Sequence, residues 1–592
     1  MSSQQDVIAG LPKHLQPFIA VQDYSQYTSR DHAIWRFLLH QLKFSLADSA
    51  HPTYFEGLSR TGIGLEAIPK IENINAHLNK LGWQAVAVDG LLPPAVFMEF
   101  QARKVLAIAL NIRAFEHMLY TPAPDIIHES AGHAPFLIDI DYAEFLQAFG
   151  DLGMRAIANQ HDMDIYEAVR QLSIVKELTN SSQQDIDKAQ QTVEQLQEMT
   201  VAPSEANLLA RLHWWTVEYG LVGELQDYKI YGAGLLSSLS ESQGCMDDSA
   251  VNKHPLTINS VLTSYDITKP QPQLFVTESC RHLSQVLADY GHHMCYSRGG
   301  ASALNDAKQS GSVNTACYNS GIQISGKLSR VVTDAVGNAI YLNTDGPTQL
   351  CYEDNELSGH GIDYHAQGFG SPIGKLRTME RCLSAYTVDE LKRHGIEIGQ
   401  QTQLKFLSGV TVIGKLTSIV RRDQKNILFT FENCTVTDVD DQVLFDPSWG
   451  VFDMAVGNAI TSVFGGSADQ VNFPMYEAPS QNVTAQQNYD DKVLTQFGLY
   501  QELRELRELS ELSDADQNVS AETNDRIENA VTVVTKVAEC EDCDWLLSFE
   551  ALELAINYQL PEALQSTLRT ALSKETGDAK TLIDQGLSRL GC

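Results

Sequence analysis

Basic residues are in short supply: 42 lysines and arginines stand against 75 aspartates and glutamates, a formal net charge of −33. A protein that neutralises phosphates needs basic surface, so no nucleic-acid partner is expected. Cysteine is also sparse. Ten in 592 residues cannot make the disulfide framework of a small secreted scaffold, and nine of them lie beyond residue 270. Cys540 and Cys543 form the lone C-x-x-C pair, and reduced thiols in a cytoplasmic protein are the expectation. Long apolar runs are missing too. Residues 105–110 are too few to span a bilayer, and 449–464 carry Asp453 and Asn458, so no membrane partner is expected. The first residues show no basic stretch leading into an apolar one, so no leader is expected. What is present, 43% hydrophobic and 20% charged residues, is the composition of a folded chain with room for roughly 3–5 domains.

Residues 1–20 read as an arm containing Pro12 and Pro17. A mostly helical region follows over 21–292. Thr28-Ser-Arg-Asp31 should cap a helix that carries Ile34, Trp35, Leu38 and Leu42 on one face. Within this region, 164–202 reads as a protruding helical hairpin with an apolar stripe of Ile186, Ala189, Val193 and Leu196. Residues 293–485 change character, with thicker glycine and serine and short β patterns such as those beginning at Gly321, Val410, Asn426 and Cys434. The segment from Gly368 to Gly374 lacks dinucleotide-fingerprint spacing and reads as a plain loop. Residues 486–592 return to helix, with Leu499, Leu503 and Leu506 along one packing face. The expected fold is thus a mainly α catalytic domain, a β-containing domain and a helical tail.

The chemistry-bearing segment is Asp125-Ile-Ile-His-Glu-Ser-Ala-Gly-His133, framed by prolines. A zinc-protease helix needs histidines four apart with glutamate directly after the first. His128 and His133 are five apart, about 140° out of line on a regular helix. They can face one ion only if the helix ends or distorts between them, and Gly132 and Pro135 offer a place for that. On spacing alone a shared metal and two separately hydrogen-bonded core histidines both stay open. A third ligand is suggested by Glu218, a carboxylate in the apolar helix around Trp214, where burial demands a cation, a base or a proton. Two imidazoles and a carboxylate are the ligand set of non-heme Fe(II) oxygenases; a pair with Arg211 is the plainer alternative.

Three segments carry a resemblance: Tyr120-Thr-Pro-Ala-Pro-Asp-Ile-Ile-His-Glu-Ser-Ala-Gly-His133, Trp214-Trp-Thr-Val-Glu-Tyr-Gly-Leu221 and Tyr231-Gly-Ala-Gly-Leu-Leu-Ser-Ser238. They resemble the pterin-dependent aromatic amino acid hydroxylases, over about residues 20–290. The resemblance implies Fe(II) held by His128, His133 and Glu218. It implies Arg113 on the substrate carboxylate, with Thr121 and Trp214 also at the substrate. A guanidinium fork suits a carboxylate. Ser237 would assist the first histidine, as outer hydroxyls do for metal-bound imidazoles. A tetrahydropterin would lie against Gly90, Leu91, Leu92 and Phe97, and Glu129 would contact the same cofactor. The partners implied are an aromatic amino acid and O₂, with any homo-oligomer contact falling to the C-terminal half.

His213 and Tyr219 depart from the residues of the eukaryotic enzymes at those positions, and the 164–202 insertion lengthens the spacing from His133 to Glu218. Trp214 leans away from tryptophan as substrate, and the short stretch ahead of the catalytic region leans away from the tyrosine enzymes, so L-phenylalanine to L-tyrosine leads; tyrosine or tryptophan hydroxylation and phenylalanine 3-hydroxylation are the alternatives. Two readings of other classes remain: a zinc hydrolase, disfavoured by the histidine spacing, and a non-catalytic interaction protein working through residues 293–592, disfavoured by the complete ligand set.

Overall fold

The computed structural model describes residues 4–119, 125–177, 181–267, 269–477, 489–514 and 521–591. The expected cap at Thr28 is present. Its hydroxyl accepts from the Asp31 backbone N–H, and the Asp31 carboxylate accepts from the Thr28 N–H in return. This fixes the start of the Ser29–Ser45 helix, which buries Ile34, Trp35, Phe37, Leu38 and Leu42. Strands Gln84–Val88 and Val105–Ala109 pair in parallel, joined through the Pro94–Ala102 helix. A four-stranded sheet runs in the order Asp227–Ile230, Leu221–Glu224, Gln273–Thr277, Asn252–Pro255. Between these sheets lie two short π-helical turns, Ile127–His133 and Trp214–Glu218.

The insertion is a helical pair, Gln160–Glu177 and Gln183–Glu198. Val193 of the predicted stripe is buried. Tyr166, at the base of the pair, donates its hydroxyl hydrogen to the Leu91 carbonyl at 3.2 Å.

The β region contains two sheets. Six strands make the first, centred on Ile322–Thr333 and Ala339–Tyr352, and five make the second, centred on Thr411–Arg422 and Lys425–Thr437. The runs at Asn426 and Cys434, which read as separate in sequence, are one continuous strand. It follows a two-residue hairpin in which Asp423 and Gln424 both have positive φ, as a primed turn requires. The loop expected after Gly368 is a strand, Gly368–Pro372, paired antiparallel with Ala339–Tyr352. Its proline sits at the strand end, where a missing N–H is tolerated. Gly368 has φ +125°, and a Cβ there would meet the Thr344 carbonyl oxygen at 2.3 Å.

The C-terminal helices Asp491–Asp514, Ala521–Ala538, Trp545–Asn557, Glu562–Leu572 and Gly577–Arg589 share one core with the catalytic region. Leu499, Leu503 and Leu506 are buried as their spacing predicts. Phe37 meets Trp545 and Phe549 edge-on, at 5.3 and 5.0 Å between ring centroids. Arg36 is a buried hub bonded to Glu66, Glu550 and Glu553, and Arg507 and Arg589 join the same two tail carboxylates. Against the expectation of reduced thiols throughout, Cys540 and Cys543 are joined by a disulfide before the Trp545–Asn557 helix. A three-residue separation in a turn brings the two sulfurs together. The other seven described cysteines are free. Among the described residues no helix is long and apolar enough to cross a membrane.

Candidate metal centre

The distortion that five-residue histidine spacing requires is the π turn itself. A π-helix closes i→i+5 hydrogen bonds, so its widened turn brings residues five apart onto one face. His128 and His133 lie at two such positions, with their Nε2 atoms 3.1 Å apart. The widening begins at Ile127, ahead of Gly132. Gly132 does a different job from the hinge expected of it: a Cβ there would meet the Ala233 carbonyl oxygen at 2.9 Å, so glycine permits close packing of the Ala233–Leu236 helix.

The second π turn delivers the carboxylate. Tyr219 N–H donates to the Trp214 carbonyl, five residues back, at 2.9 Å. Glu218 Oε2 lies 3.3 Å from His128 Nε2, and its Oε1 lies 3.5 Å from His133 Nε2. Arg211 is turned to the Val261 and Leu262 carbonyls instead, which disposes of the plainer pairing. Donors about 2.1 Å from one ion sit about 3 Å apart at neighbouring octahedral corners, so this triangle fits a single cation.

Hydrogen bonding sets the tautomer of the first histidine. The Ser237 hydroxyl donates its one hydrogen to the Ala233 carbonyl at 2.8 Å. It must therefore accept from His128 Nδ1–H, 3.0 Å away, which leaves the Nε2 lone pair turned to the centre.

Without a cation the charges settle among themselves. Burial works against a charged His128, but neighbouring Glu218 outweighs it and raises the imidazole to about 9. Burial holds His133 down to about 3, and it also lowers His213. Burial would raise Glu218, but His133 and His128 hold it well below the usual carboxylate range. Burial raises Glu129 to about 8, with His128 opposing it only in part and Glu218 and Asp125 adding to it.

Four buried polar atoms around this centre have no hydrogen-bond partner: Glu129 Oε2, His133 Nδ1, His213 Nε2 and Trp214 Nε1. Native proteins rarely leave such atoms unsatisfied, and a cluster of them marks a place built for a ligand. Trp214 is stacked between Tyr219 and Tyr265, with ring centroids 4.6 and 4.3 Å away. Phe97 meets His213 edge-on at 6.0 Å, and His213 Nδ1 is 3.7 Å from Glu218 Oε1. Gly90, at φ +69°, opens the Gly90–Leu91–Leu92 turn beside the Pro94–Ala102 helix.

Arg113 is buried with its fork already engaged. Nε and Nη2 donate to the two oxygens of Asp125 at 2.8 and 2.9 Å, while Nη1 faces the Ser237 carbonyl at 3.4 Å. Asp125 also accepts from the His128 backbone N–H at 3.0 Å, so one carboxylate steadies both the arginine and the first histidine. Asp125 stands inside the informative segment, but its role depends on Arg113 and His128 being folded against it, and the closeness of His213 to Glu218 is likewise set by the fold. Thr121 lies outside the described residues.

A family model for biopterin-dependent aromatic amino acid hydroxylases matches residues 13–175 and 173–298. The phenylalanine-4-hydroxylase of Ralstonia nicotianae is 30% identical over 268 residues, covering 45% of this chain and 72% of the relative. That of Caulobacter vibrioides is 30% identical over 273 residues, covering 46% and 78%. A crystal structure of Chromobacterium violaceum phenylalanine hydroxylase with bound oxidised iron(III) is 28% identical and covers 49% of this chain and 90% of that one, at a TM-score of 0.38. By its sequence matches, this chain belongs to the biopterin-dependent aromatic amino acid hydroxylases.

Proposed function

We propose that the chain hydroxylates L-phenylalanine to L-tyrosine with Fe(II), a tetrahydropterin and O₂. The observation that carries this reading is the triangle of His128 Nε2, His133 Nε2 and Glu218 oxygens, made by two π turns and ringed by unsatisfied polar atoms. These three residues would hold the iron, and a face left open by a three-residue ligand set suits an oxygenase. Bound iron and reduced pterin together supply the electrons that activate O₂.

The remaining steps fall to the chain. Ser237 keeps the proton of His128 on Nδ1, so Nε2 stays a ligand. Trp214, held rigid between two tyrosine rings, walls the substrate ring in place. Arg113, fixed by Asp125, presents Nη1 to the amino acid carboxylate; Thr121 assists there by family analogy. Phe97 offers a flat face to the pterin beside the Gly90–Leu91–Leu92 backbone, and Glu129 Oε2 provides a polar contact to the same heterocycle. Fixing cofactor and ring against each other converts a multi-body encounter into an intramolecular one.

Product analysis tests the substrate. The purified chain, with Fe(II) and tetrahydrobiopterin, should convert phenylalanine to para-tyrosine at least tenfold faster than it turns over tyrosine or tryptophan. Faster conversion of tryptophan, or meta-tyrosine as the main product, would overturn this assignment.

A further inference from the structure

The β region carries a second cluster of metal-ligating side chains, remote in sequence from the catalytic segments. We propose that His360, His365 and Asp453 bind a divalent transition metal of the zinc class, which clips the two sheets of the β region together.

The two histidines lie on the segment between strands Asn355–Glu356 and Gly368–Pro372. That segment is fastened along the Ala339–Tyr352 strand: Leu350 N–H donates to the His360 carbonyl at 3.0 Å, and Thr348 N–H to the His365 carbonyl at 3.2 Å. The rings are nearly parallel, inclined by 19°, and His360 Nδ1 is 3.2 Å from His365 Nε2. Asp453 arrives from the other sheet, on strand Phe452–Ala455. Its cross-strand neighbour Thr430 donates a hydroxyl hydrogen to Oδ1 at 2.7 Å. Oδ2 is left turned to His360 Nδ1 at 3.8 Å.

The two imidazole nitrogens are within hydrogen-bond reach of each other, but the carboxylate, at 3.8 Å, is not within reach of the imidazole it faces. Donors about 2.1 Å from a tetrahedral ion stand about 3.4 Å apart; two of the observed separations are 3.2 and 3.8 Å, and all three ligand atoms lie within 4.8 Å of one another, so a small inward movement would close them on one ion. Asp453 is 5% exposed, and among the described residues no lysine or arginine pairs with it. Its polar neighbours besides the histidine are the neutral Thr430 and Tyr364 hydroxyls, so a cation would supply the charge compensation they lack. Thr430 orients the carboxylate as outer hydroxyls do in metal sites, and Phe369 meets His365 edge-on at 5.4 Å, closing the apolar side. Tyr364, which is 55% exposed, packs edge-on against both histidines and places its hydroxyl on Asp453, so the cluster has a solvent-facing side from which water can complete the coordination shell. The catalytic triangle, with separations of 3.1–3.5 Å, and this wider one should therefore differ in coordination geometry.

Cobalt(II) is the probe, because tetrahedral and octahedral cobalt differ strongly in visible absorption. The full-length chain, stripped with a chelator and titrated with cobalt(II), should bind two ions, one giving the intense tetrahedral bands. In His128→Ala the tetrahedral ion should remain as the single bound ion. In His360→Ala and Asp453→Asn the bands should vanish while iron-dependent hydroxylation persists, and Thr430→Val should weaken cobalt binding by 10- to 100-fold. His360→Cys should keep the ion and add a thiolate-to-cobalt absorption, so misfolding of the alanine variant would not mask the site. A wild-type chain that binds one cobalt, or a His128→Ala chain that binds none, overturns the proposal. So do tetrahedral bands that survive in soluble His360→Ala.

Discussion

At the scale of single residues, Arg113 separates an amino acid hydroxylase from an iron site of any other purpose. Its Nε and Nη2 are spent on Asp125, so the part available to a carboxylate is one edge of a rigid, oriented cation. Arg113→Lys replaces that edge with a flexible point charge. A lost charge-assisted contact costs about 1.5–3 kcal/mol, so KM for phenylalanine should rise roughly 10- to 150-fold with iron content unchanged. Phenethylamine, which has no carboxylate, should be a poor substrate for both proteins and no worse for the variant. Equal losses with phenylalanine and phenethylamine would show that the residue supports the fold instead. His128, His133 and Glu218 stand out in sequence as titratable residues in proline-framed or apolar surroundings, but the residues alone leave a shared metal open, and it is the family resemblance that joins the three. The role of Asp125 was not legible, because which of two partners an acid will choose depends on the fold around it. The same limit hid His360 and His365, whose third companion comes from the opposite sheet.

Among the elements, the π turns do what a regular helix could not, and sequence gave notice of the problem through five-residue spacing without showing its solution. The Ser29–Ser45 helix was more transparent, since its cap and stripe are local. It also carries a buried histidine whose titration is coupled to folding. His32 is buried and its Nδ1 accepts from the Ile68 backbone N–H at 3.2 Å; burial lowers it to about 4. The unfolded chain binds a proton near pH 6.5 that the folded chain refuses until about 4. Folding stability is therefore full above that range and falls as pH drops through it, by up to about 3 kcal/mol from this group. His32→Asn keeps an acceptor but does not titrate, so urea unfolding should show a smaller loss between pH 6.5 and 4. Identical losses in the two proteins would remove His32 from the account. The insertion helices are a separable element: replacing residues 172–202 with a short flexible loop should leave soluble protein with Fe(II)- and pterin-dependent activity, since loop length costs little. Failure to fold would mean that the pair supports the core, beyond the Tyr166 contact with Leu91 that the deletion spares.

For the whole molecule, the tail completes the catalytic core. Helical periodicity showed that Leu499, Leu503 and Leu506 pack on something, but an apolar stripe does not name its partner. The helix that carries them packs on the Ser29–Ser45 helix, whose Ser29 hydroxyl donates to the Phe497 carbonyl at 2.6 Å, and on the Trp545–Asn557 helix, which itself meets Phe37 and Arg36. Removing one member of such a network leaves uncompensated charge, so Glu553→Ala should cost about 3–5 kcal/mol. Chemical denaturation of the two full-length proteins would measure it, and a loss below 1 kcal/mol would show that the network is not cooperative. Truncation at residue 300 should give insoluble protein even though His128, His133 and Glu218 are all retained.

The central claim is that His128, His133 and Glu218 form one iron centre whose occupancy is required for aromatic hydroxylation. Bound iron and tyrosine formation, measured side by side in the wild-type chain and in Glu218→Gln, test it most directly. The wild type should hold one catalytic iron and make tyrosine only with both Fe(II) and tetrahydropterin, and the variant should lose both. A Glu218→Gln chain that keeps full iron and full tyrosine production would contradict it.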